Sequence, residues 1–367
     1  MLGDIFMQKD TMTASERYRA YLSGLPVDRA PVIEQAPWWD LTIHRWATEG
    51  LPAELDKMDT VEDYFRRVED IQGYFGLDRT LGPWFEPVTA ETPVAPSHGA
   101  GIMEDEDDYA RIKPTLYPPV ETKISADYGA WMNACHRRGD TILSLGMPGP
   151  FWFPRNMFGI ENHLYSFFDY PELYKEMVDD YAAWLEKLLP YILDRFHVDV
   201  VGFSEDMSYN GGAMISKELF DEFLAPFYRR LVPLVHSYGI PVSIDSDGNI
   251  TEAVDWYASV GADMMSPLER QAGVDVSVYL EKQPSMGFVG HFNKLCMKEG
   301  EEAMRAEFER LLPSMQKGKF IPSVDHQTPP EVSFENYKIY LKLLNEYARK
   351  IDTERQGILP CPVFAKK

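Results

Sequence analysis

The 367-residue chain has few cysteines, no long apolar run and a deficit of basic side chains. Its three cysteines, Cys135, Cys296 and Cys361, lie far apart, without the spacing of a metal or redox motif. No apolar stretch approaches the roughly 18 residues that a membrane-spanning helix needs, and the first nine residues lack the basic and apolar segments of an export signal. We therefore expect a cytoplasmic protein with no membrane partner.

The charge balance argues against polyanionic partners. The sequence contains 36 Lys and Arg against 58 Asp and Glu, which gives a formal net charge of -22 and a pI near 4.8. Nucleic acids and anionic membranes would be repelled overall by such a surface. Apolar residues make up 45% of the chain, which is enough to bury a sizeable core. A globular protein that acts on small molecules is expected.

Short apolar strands alternate with amphipathic helices along most of the chain. Strands are predicted over residues 30–34, 141–146, 198–203, 241–244, 263–266, 286–289 and 319–323. Helices are predicted over residues 62–73, 160–168, 172–196, 216–238, 251–260, 274–282, 299–316 and 334–351. Repeated strand-helix units imply a parallel sheet, and this many of them favour a closed barrel. The predicted fold is α/β, one TIM (β/α)8 barrel over residues 1–367, with an N-terminal helical extension (1–30) and a β-rich insertion (79–125).

Chemistry in such a barrel lies at the carboxyl ends of the strands. Acids and histidines follow five consecutive predicted strands, at Glu205 and Asp206; Asp245, Asp247 and Asn249; Glu269; His291 and Asn293; and Asp325 and His326. We take Asn249 and Glu269 as candidates for substrate binding and the other acids and histidines as candidates for catalysis. Helix caps, Asx turns and structural histidines are the alternative roles. Packed carboxylates raise one another's pKa, whereas a divalent metal would hold them ionised.

Aromatic side chains follow two of the earlier strands. Trp38 and Trp39 come after the strand at 30–34, and Phe151 and Trp152 lie in a loop rich in proline and glycine after the strand at 141–146. Such residues either pack beneath their loops or form the wall of a pocket for a flat ligand. Both interpretations are open for each of the four.

As a set, the motifs at the strand ends resemble the uroporphyrinogen decarboxylase superfamily. The residues that carry the resemblance are Phe203-Ser204-Glu205-Asp206-Met207, Asp245-Ser246-Asp247-Gly248-Asn249, Ser266-Pro267-Leu268-Glu269 and Pro322-Ser323-Val324-Asp325-His326. The resemblance implies a TIM-type barrel. It does not fix the reaction, because the superfamily includes at least two chemistries.

Porphyrinogen decarboxylation is disfavoured. In the true decarboxylases, the stretch that resembles Pro31-Val32 continues into an arginine that meets the substrate carboxylates. Here the residues from Glu34 to Asp40 contain no arginine, and the next one is Arg45. A substrate with many carboxylates would be repelled by the acids predicted at the site.

The other branch of the superfamily transfers methyl groups to or from corrinoid proteins and can use zinc as a Lewis acid. Its thiol-activating members carry His-x-Cys where this chain has Asp245-Ser246-Asp247, and a further cysteine near Val324 or Asp325. The absence of these residues argues against a zinc-thiolate centre but allows a site of oxygen and imidazole ligands. Asp247, His291 and His326 are the candidate zinc ligands.

In O-demethylases of this branch, two glutamates and a later histidine are proposed to bind zinc. Glu161, Glu176 and His197 of this chain have the same spacing along the sequence. If 172–196 is one helix, Glu176 and His197 lie ~30 Å apart at ~1.5 Å per residue, too far to share an ion. The spacing therefore supports membership of the branch more than it supports a metal site.

The resemblance implies an enzyme that demethylates a small, aromatic methyl ether and passes the methyl group to a corrinoid protein that docks over the barrel mouth. Zinc is a candidate cofactor, and the corrinoid would come from the partner. The alternatives are a metal-independent decarboxylase of a small acid and a non-catalytic binding protein. The sequence leaves the choice between a monomer and a homodimer open.

Overall fold

The computed structural model describes residues 10–36, 38–57 and 61–365, and its described strands form one large sheet and one small hairpin. The strands are β1 (Arg79–Leu81), β2 (Thr141–Pro148), β3 (Val200–Ser204), β4 (Ser208–Tyr209), β5 (Gly212–Ala213), β6 (Val242–Asp245), β7 (Met264–Ser266), β8 (Gly287–Phe292) and β9 (Phe320–Val324). Seven of them form a sheet in the order β1-β2-β3-β6-β7-β8-β9, in which all neighbours are parallel. The hairpin of β4 and β5 is antiparallel.

The segment over residues 30–35 lies between the two edges of this sheet. The carbonyl of Val32 accepts from the amide of Asp78, just before β1, at 2.9 Å. On the other side, Glu34 accepts from the Ser323 hydroxyl at 2.7 Å and from the Val324 amide at 3.2 Å, both in β9. The strand predicted at 30–34 is wrong in detail, because side chains rather than a backbone ladder join it to β9. The predicted TIM-barrel type of α/β fold is confirmed.

Helices connect the strands and pack around the sheet. They are α1 (Ala14–Leu22), α2 (Asp40–Glu49), α3 (Val61–Phe75), α4 (Glu106–Ile112), α5 (Ala126–Arg138), α6 (Trp152–Phe158), α7 (Ile160–Asp169), α8 (Pro171–Leu193), α9 (Lys217–Leu219), α10 (Ala225–Ser237), α11 (Ala253–Ser259), α12 (Val276–Lys282), α13 (Glu301–Gln316), α14 (Phe334–Ala348) and α15 (Pro362–Ala365). A π-helical turn, Phe220–Leu224, joins α9 to α10, so the predicted helix at 216–238 is continuous. Within the described ranges, no helix is both long and apolar enough to cross a membrane.

The segment 79–125 differs from the expected β-rich insertion. Its regular elements are β1, α4 and the short 3-10 turns Lys113–Thr115 and Val120–Thr122. Three isolated bridges, at Trp84, Val88 and Ala100, are its other β contacts among the described residues. The prolines of this segment cannot donate to a ladder, so an extended pattern in the sequence does not become a sheet.

Helix α1 closes the amino-terminal end of the barrel. The Thr13 side chain caps this helix, together with Glu16, as a capping box. The Tyr21 hydroxyl donates to the carbonyl of Phe320, the first residue of β9, at 2.8 Å, and the Tyr18 hydroxyl donates to the sulfur of Met264 in β7 at 3.2 Å. The helical extension predicted over 1–30 therefore contains α1; residues 1–9 lie outside the described ranges.

Candidate active site

A cavity of about 500 Å³ occupies the interior of the barrel and opens at the carboxyl ends of the strands. Barrel interiors are normally filled by bulky branched side chains. Here many of the residues that point inward from the strands are small: Ser144, Gly146, Gly202, Ser204, Ser243 and Ser266. Their neighbours in sequence, such as Leu145, Val201 and Ile244, are fully buried on the outer face of the sheet. The cavity therefore results from serine and glycine at alternate strand positions.

Aromatic residues form part of the upper wall of this cavity. Tyr64 and Phe65 come from α3, Trp84 follows β1 and Trp152 begins α6. The guanidinium of Arg155 lies 4.9 Å from the centre of the Trp152 ring, within the range of a cation-π contact. An aromatic wall is present, although only one of the four predicted residues belongs to it.

Three aspartates line the cavity near its mouth: Asp206 after β3, and Asp245 and Asp247 at the end of β6. Asp206 forms an ion pair with Arg155 and has a φ of +46°, a left-handed conformation that side chains other than glycine rarely adopt. Such backbone outliers persist where surrounding contacts hold them, often at functional sites. Among the described residues that line the cavity there is no lysine or arginine.

Burial, together with the nearby charge of Asp247, raises the pKa of Asp245 to about 7. His326 and a hydrogen bond from Ser204, which pairs with Asp245 across β3 and β6, act in the opposite direction. A carboxyl group of this kind changes its charge near neutral pH. It is therefore suited either to proton transfer or to binding an ion.

His326 follows β9 and lies beside Asp247 at the cavity mouth. The Nε2 atom of His326 is 3.5 Å from a carboxylate oxygen of Asp247. The hydrogen bond to Asp247 raises the pKa of His326, while burial lowers it, and the net direction is upward. The pair therefore keeps the imidazole protonated to a higher pH than a free histidine.

Glu34 also lines the cavity, from the segment opposite β6 in the barrel. Its carboxylate accepts hydrogen bonds from the Ser323 and Tyr337 hydroxyls, each at 2.7 Å. Burial raises the pKa of Glu34 to about 7, although these hydrogen bonds act to lower it. The sequence interpretation missed Glu34 as a site residue, although the rule of strand ends applies to it, since it ends the predicted strand at 30–34. It also missed Arg155, whose pairing with Asp206 has no local sequence signal.

Glu205 does not line the cavity. Because Ser204 and Asp206 face inward, the side chain between them points outward, where it is fully buried. It accepts hydrogen bonds from the amides of Phe151 and Trp152, at 2.8 and 3.2 Å, and from the Tyr228 hydroxyl. Glu205 therefore holds the start of α6 and with it the Trp152 wall, rather than meeting a substrate.

His291 and Asp325 are likewise used by the protein itself. Since Nε2 of His291 accepts from the Val276 amide at 3.1 Å, Nδ1 carries the hydrogen and donates to the Leu268 carbonyl at 2.9 Å. His291 and Asp325 are both buried, and neither lines the cavity. The Asp325 carboxylate accepts from the amides of Arg270 and Lys294 in the loops after β7 and β8, at 3.0 and 3.2 Å.

The candidate zinc ligands do not form one set. His326 and Asp247 adjoin each other, but both ring nitrogens of His291 are occupied by the protein. Within the described ranges, no group of three or more His, Cys, Asp and Glu side chains is arranged to hold a metal ion. The residues proposed from the sequence therefore do not fit a zinc site.

Asn249 and Glu269 shape loops at the mouth instead of lining the cavity. The Asn249 side chain accepts from the amide and the hydroxyl of Thr251, at 3.1 and 2.6 Å, which is an Asx turn. Glu269 accepts from the Gly248 amide at 3.0 Å. These contacts favour a structural role in the loops for both residues, and for Asn249 it is the Asx turn named above as the alternative.

Three of the four predicted aromatic residues lie away from the cavity lining. Trp38 is buried and packs edge-on against Trp46 and Tyr337. Phe151 is buried against His163, and Trp39 is 47% exposed at the start of α2. Trp152 alone takes the expected place. Pro37, in the same motif as Trp38, lies outside the described residues.

The two glutamates and the histidine of the O-demethylase spacing lie apart. Glu161 is in the first turn of α7, and Glu176 in α8 pairs with Lys113 at 2.9 Å. His197 follows the other end of α8, 2.8 Å from Asp199. The geometry agrees with the expectation that one long helix separates Glu176 from His197.

A hollow parallel α/β barrel with carboxyl and imidazole groups at its mouth defines an enzyme-like barrel. The family model described as uroporphyrinogen decarboxylase (URO-D) matches residues 89–347. The match covers more than half of the chain, and the chain belongs to this family. No curated protein sequence matches it.

Two solved structures illustrate the likeness in fold. A methyltransferase from Methanosarcina mazei aligns with a TM-score of 0.62 and 15% identity, over 92% of this chain and 99% of that one. A putative vitamin B12-independent methionine synthase from Listeria monocytogenes aligns with a TM-score of 0.47 and 10% identity, over 88% of this chain and 97% of that one. The first likeness establishes the fold alone, and the second is too weak to support an argument.

Proposed function

We propose that the chain is a methyltransferase that demethylates a small methyl ether and passes the methyl group to a corrinoid protein. The family membership supplies the barrel, and the resemblance to the O-demethylase branch, through the spacing of Glu161, Glu176 and His197, supplies the class of reaction. The observation that carries the proposal is the pair of His326 and Asp247, which lies at the mouth of a hollow barrel beside two further aspartates, Asp206 and Asp245.

The reaction needs a proton at the leaving oxygen, because an unassisted ether oxygen leaves poorly. The corrinoid is a second substrate, brought by the partner protein in its Co(I) form. As the bond between the methyl carbon and the ether oxygen breaks, the carbon bonds to cobalt, which is oxidised by two electrons. The oxygen takes the proton of His326 and leaves as a hydroxyl group, and His326 regains a proton from solvent. Asp247 keeps His326 protonated between turnovers.

The dimensions of the cavity support a small aromatic substrate. Its volume of about 500 Å³ lies within the range of sites for small ligands. Tyr64, Trp84 and Trp152 give it an aromatic wall against which a ring can stack. The reacting methyl group would lie at the mouth, where His326 is placed and where the partner can reach it.

Exposed apolar side chains on the loops at the mouth support a docking partner. Trp39 follows the segment at 30–35, Trp84 and Val94 follow β1, and Leu295 follows β8, and all four are exposed. Apolar surface of this kind around a pocket is typical of protein interaction sites. The corrinoid protein is the partner that the proposed reaction requires.

The proposal is tested by incubating the purified chain with Co(I) corrinoid protein and a panel of methoxyarenes, and following methyl-cobalt by absorbance. His326→Gln is expected to lower the methylation rate by about 10²- to 10⁴-fold, the usual contribution of a general acid. His44→Gln, which alters an exposed histidine on α2, is the matched control and should retain the wild-type rate. Absence of methyl-cobalt with every methoxyarene would overturn the proposal.

The rival function, decarboxylation of a small acid, is favoured by one observation. Asp245, with its pKa raised to about 7, could exchange the proton that replaces carbon dioxide. The four carboxyl groups in the cavity lining, with no described lysine or arginine among them, oppose an anionic substrate. Release of carbon dioxide from small acids without corrinoid would support this rival. Metal analysis of the purified protein tests the expectation of zinc.

A further inference from the structure

The cavity is unbalanced in charge. Four carboxyl groups line it, from Glu34, Asp206, Asp245 and Asp247, and the described lining contains no lysine or arginine. Three of the four have partners supplied by the protein: Asp206 has Arg155, Asp247 has His326, and Glu34 has hydroxyl groups and a backbone amide. Asp245 is the fourth, and its one hydrogen-bond partner among the described residues, Ser204, is neutral.

The surroundings of Asp245 lack a basic partner of its own. Its side chain receives a hydrogen bond from Ser204, and the ionisable groups that face it are Asp206, Asp247 and His326, the last already paired with Asp247. No lysine or arginine among the described residues forms an ion pair with Asp245. Because a carboxylate inside a protein is costly without an opposite charge, the missing charge is one that a ligand can supply.

The cavity around Asp245 has room for such a group. The adjacent inward positions, Ser204, Gly202 and Ser243, carry small side chains or none. In an extended chain Asp247 lies about 7 Å further toward the mouth than Asp245, roughly the length of one aromatic ring with a carbon at each end. A ring that reaches from Asp245 to His326 would pass beside the Trp84 and Trp152 wall.

We propose that the substrate is a cation, with an ammonium group that contacts Asp245 inside the barrel while its methoxy group lies at the mouth beside His326. The position of the methoxy group rests on the proposed function, whereas the contact with Asp245 does not. Carboxylated methoxyarenes are excluded, because a second anion would meet Asp245 without a compensating charge. Neutral methoxyarenes bind, but without the ion pair.

Three ligands of similar size test the effect of ligand charge on binding: 4-methoxybenzylamine is a cation, 4-methoxybenzyl alcohol is neutral and 4-methoxybenzoate is an anion. Binding to the purified chain is measured by calorimetry near pH 8, where Asp245 is ionised and the amine is still protonated. We expect the amine to bind at least about 10-fold more tightly than the alcohol, the scale of a charge-assisted hydrogen bond. No binding of the benzoate is expected.

The Asp245→Asn variant preserves the shape of the side chain and removes its charge. We expect it to lose the preference for the amine and to bind the alcohol as the wild type does. Asp255→Asn is the matched control, since Asp255 lies on α11 and is half-exposed, paired with Lys282. Circular dichroism of both variants checks that they are folded.

Equal affinity for the amine and the alcohol, tighter binding of the benzoate, or no binding of any of the three would overturn the inference. So would an amine preference that survives in Asp245→Asn. If the amine is preferred but no methoxyarene yields methyl-cobalt, the inference stands and the proposed function fails. If neutral and cationic methoxyarenes are demethylated equally well after binding equally well, the proposed function stands and the inference fails.

Discussion

At the scale of single residues, the direction of a side chain decides between a role in the cavity and a role in the scaffold. Glu205 and Asp206 are adjacent in sequence, yet Asp206 lines the cavity and Glu205 is buried behind the barrel wall. Both are acids at a strand end, so composition and position along the chain do not distinguish them. The alternation of side chains along a strand does, once the register is known.

The buried position of Glu205 predicts a dependence of stability on pH. Burial raises the pKa of Glu205 to about 7 from an ordinary value of 4.5, so folding favours its protonated form. Its contribution to the free energy of unfolding is complete below pH 4.5 and is lost as the pH rises through 7. Glu205→Gln should remove this loss, which amounts to about 3 kcal/mol at most.

Urea unfolding of wild type and Glu205→Gln across this pH range measures the difference. Glu54→Gln, at an exposed site, is the control and should follow the wild type. An identical pH dependence of unfolding in wild type and Glu205→Gln would contradict the prediction.

At the scale of elements, the hollow interior depends on a few small residues in β2, β3 and β6. A Cβ atom added at Gly202 would lie 3.5 Å from the carbonyl oxygen of Leu145, an ordinary contact, so a larger residue fits the backbone there. At Gly146, by contrast, a Cβ atom would lie 2.8 Å from the Trp84 ring and would displace it. Gly202 is therefore the position where the cavity can be filled without disturbing its wall.

We predict that Gly202→Val leaves the fold intact and lowers affinity for the methoxybenzyl ligands by at least about 10-fold, since a filled cavity cannot hold the ring. Calorimetry measures the affinity, and thermal unfolding reports on the fold. Ser243→Ala, which removes a hydroxyl but adds no volume, should change the affinity far less. Ligand binding by Gly202→Val at wild-type strength would show that the ring lies elsewhere.

The alternation of strands and helices was predictable from the sequence because hydrophobic periodicity and caps are local signals. Strands β3 and β6 begin and end within two residues of the prediction, and α8 ends three residues early. The contacts of the site were predicted less well. His291 lies at a strand end but is bonded on both ring nitrogens, and the hydrogen bond of Glu34 to Tyr337 joins residues about 300 positions apart in sequence. Such contacts depend on tertiary packing, which has no local sequence signal.

At the scale of the whole molecule, closure of the barrel depends on Glu34. This side chain joins the segment at 30–35 to β9 through Ser323 and to α14 through Tyr337. It thus connects the start of the chain to elements near its end. Because all of these groups are buried, removal of the carboxylate would leave several polar groups without partners.

We predict that Glu34→Ala lowers the free energy of unfolding by about 2–4 kcal/mol, from unpaired polar groups and lost packing. Urea unfolding near pH 4 provides the measurement, since Glu34 is then mostly protonated in both the folded and the unfolded chain and its charge has little effect on the result. Glu54→Ala should stay within about 0.5 kcal/mol of the wild type. A similarly small effect of Glu34→Ala would show that closure of the barrel does not depend on this residue.

The closed amino-terminal end of the barrel has a kinetic consequence. Tyr18 of α1 forms part of the cavity floor, so substrate and product share the opening at the strand ends. The corrinoid protein of the proposed function, docked on this opening, would cover the route by which both must pass. Substrate must then bind before the partner, and the demethylated product must wait for the partner to leave. Turnover would follow a compulsory order, and an excess of partner would slow it.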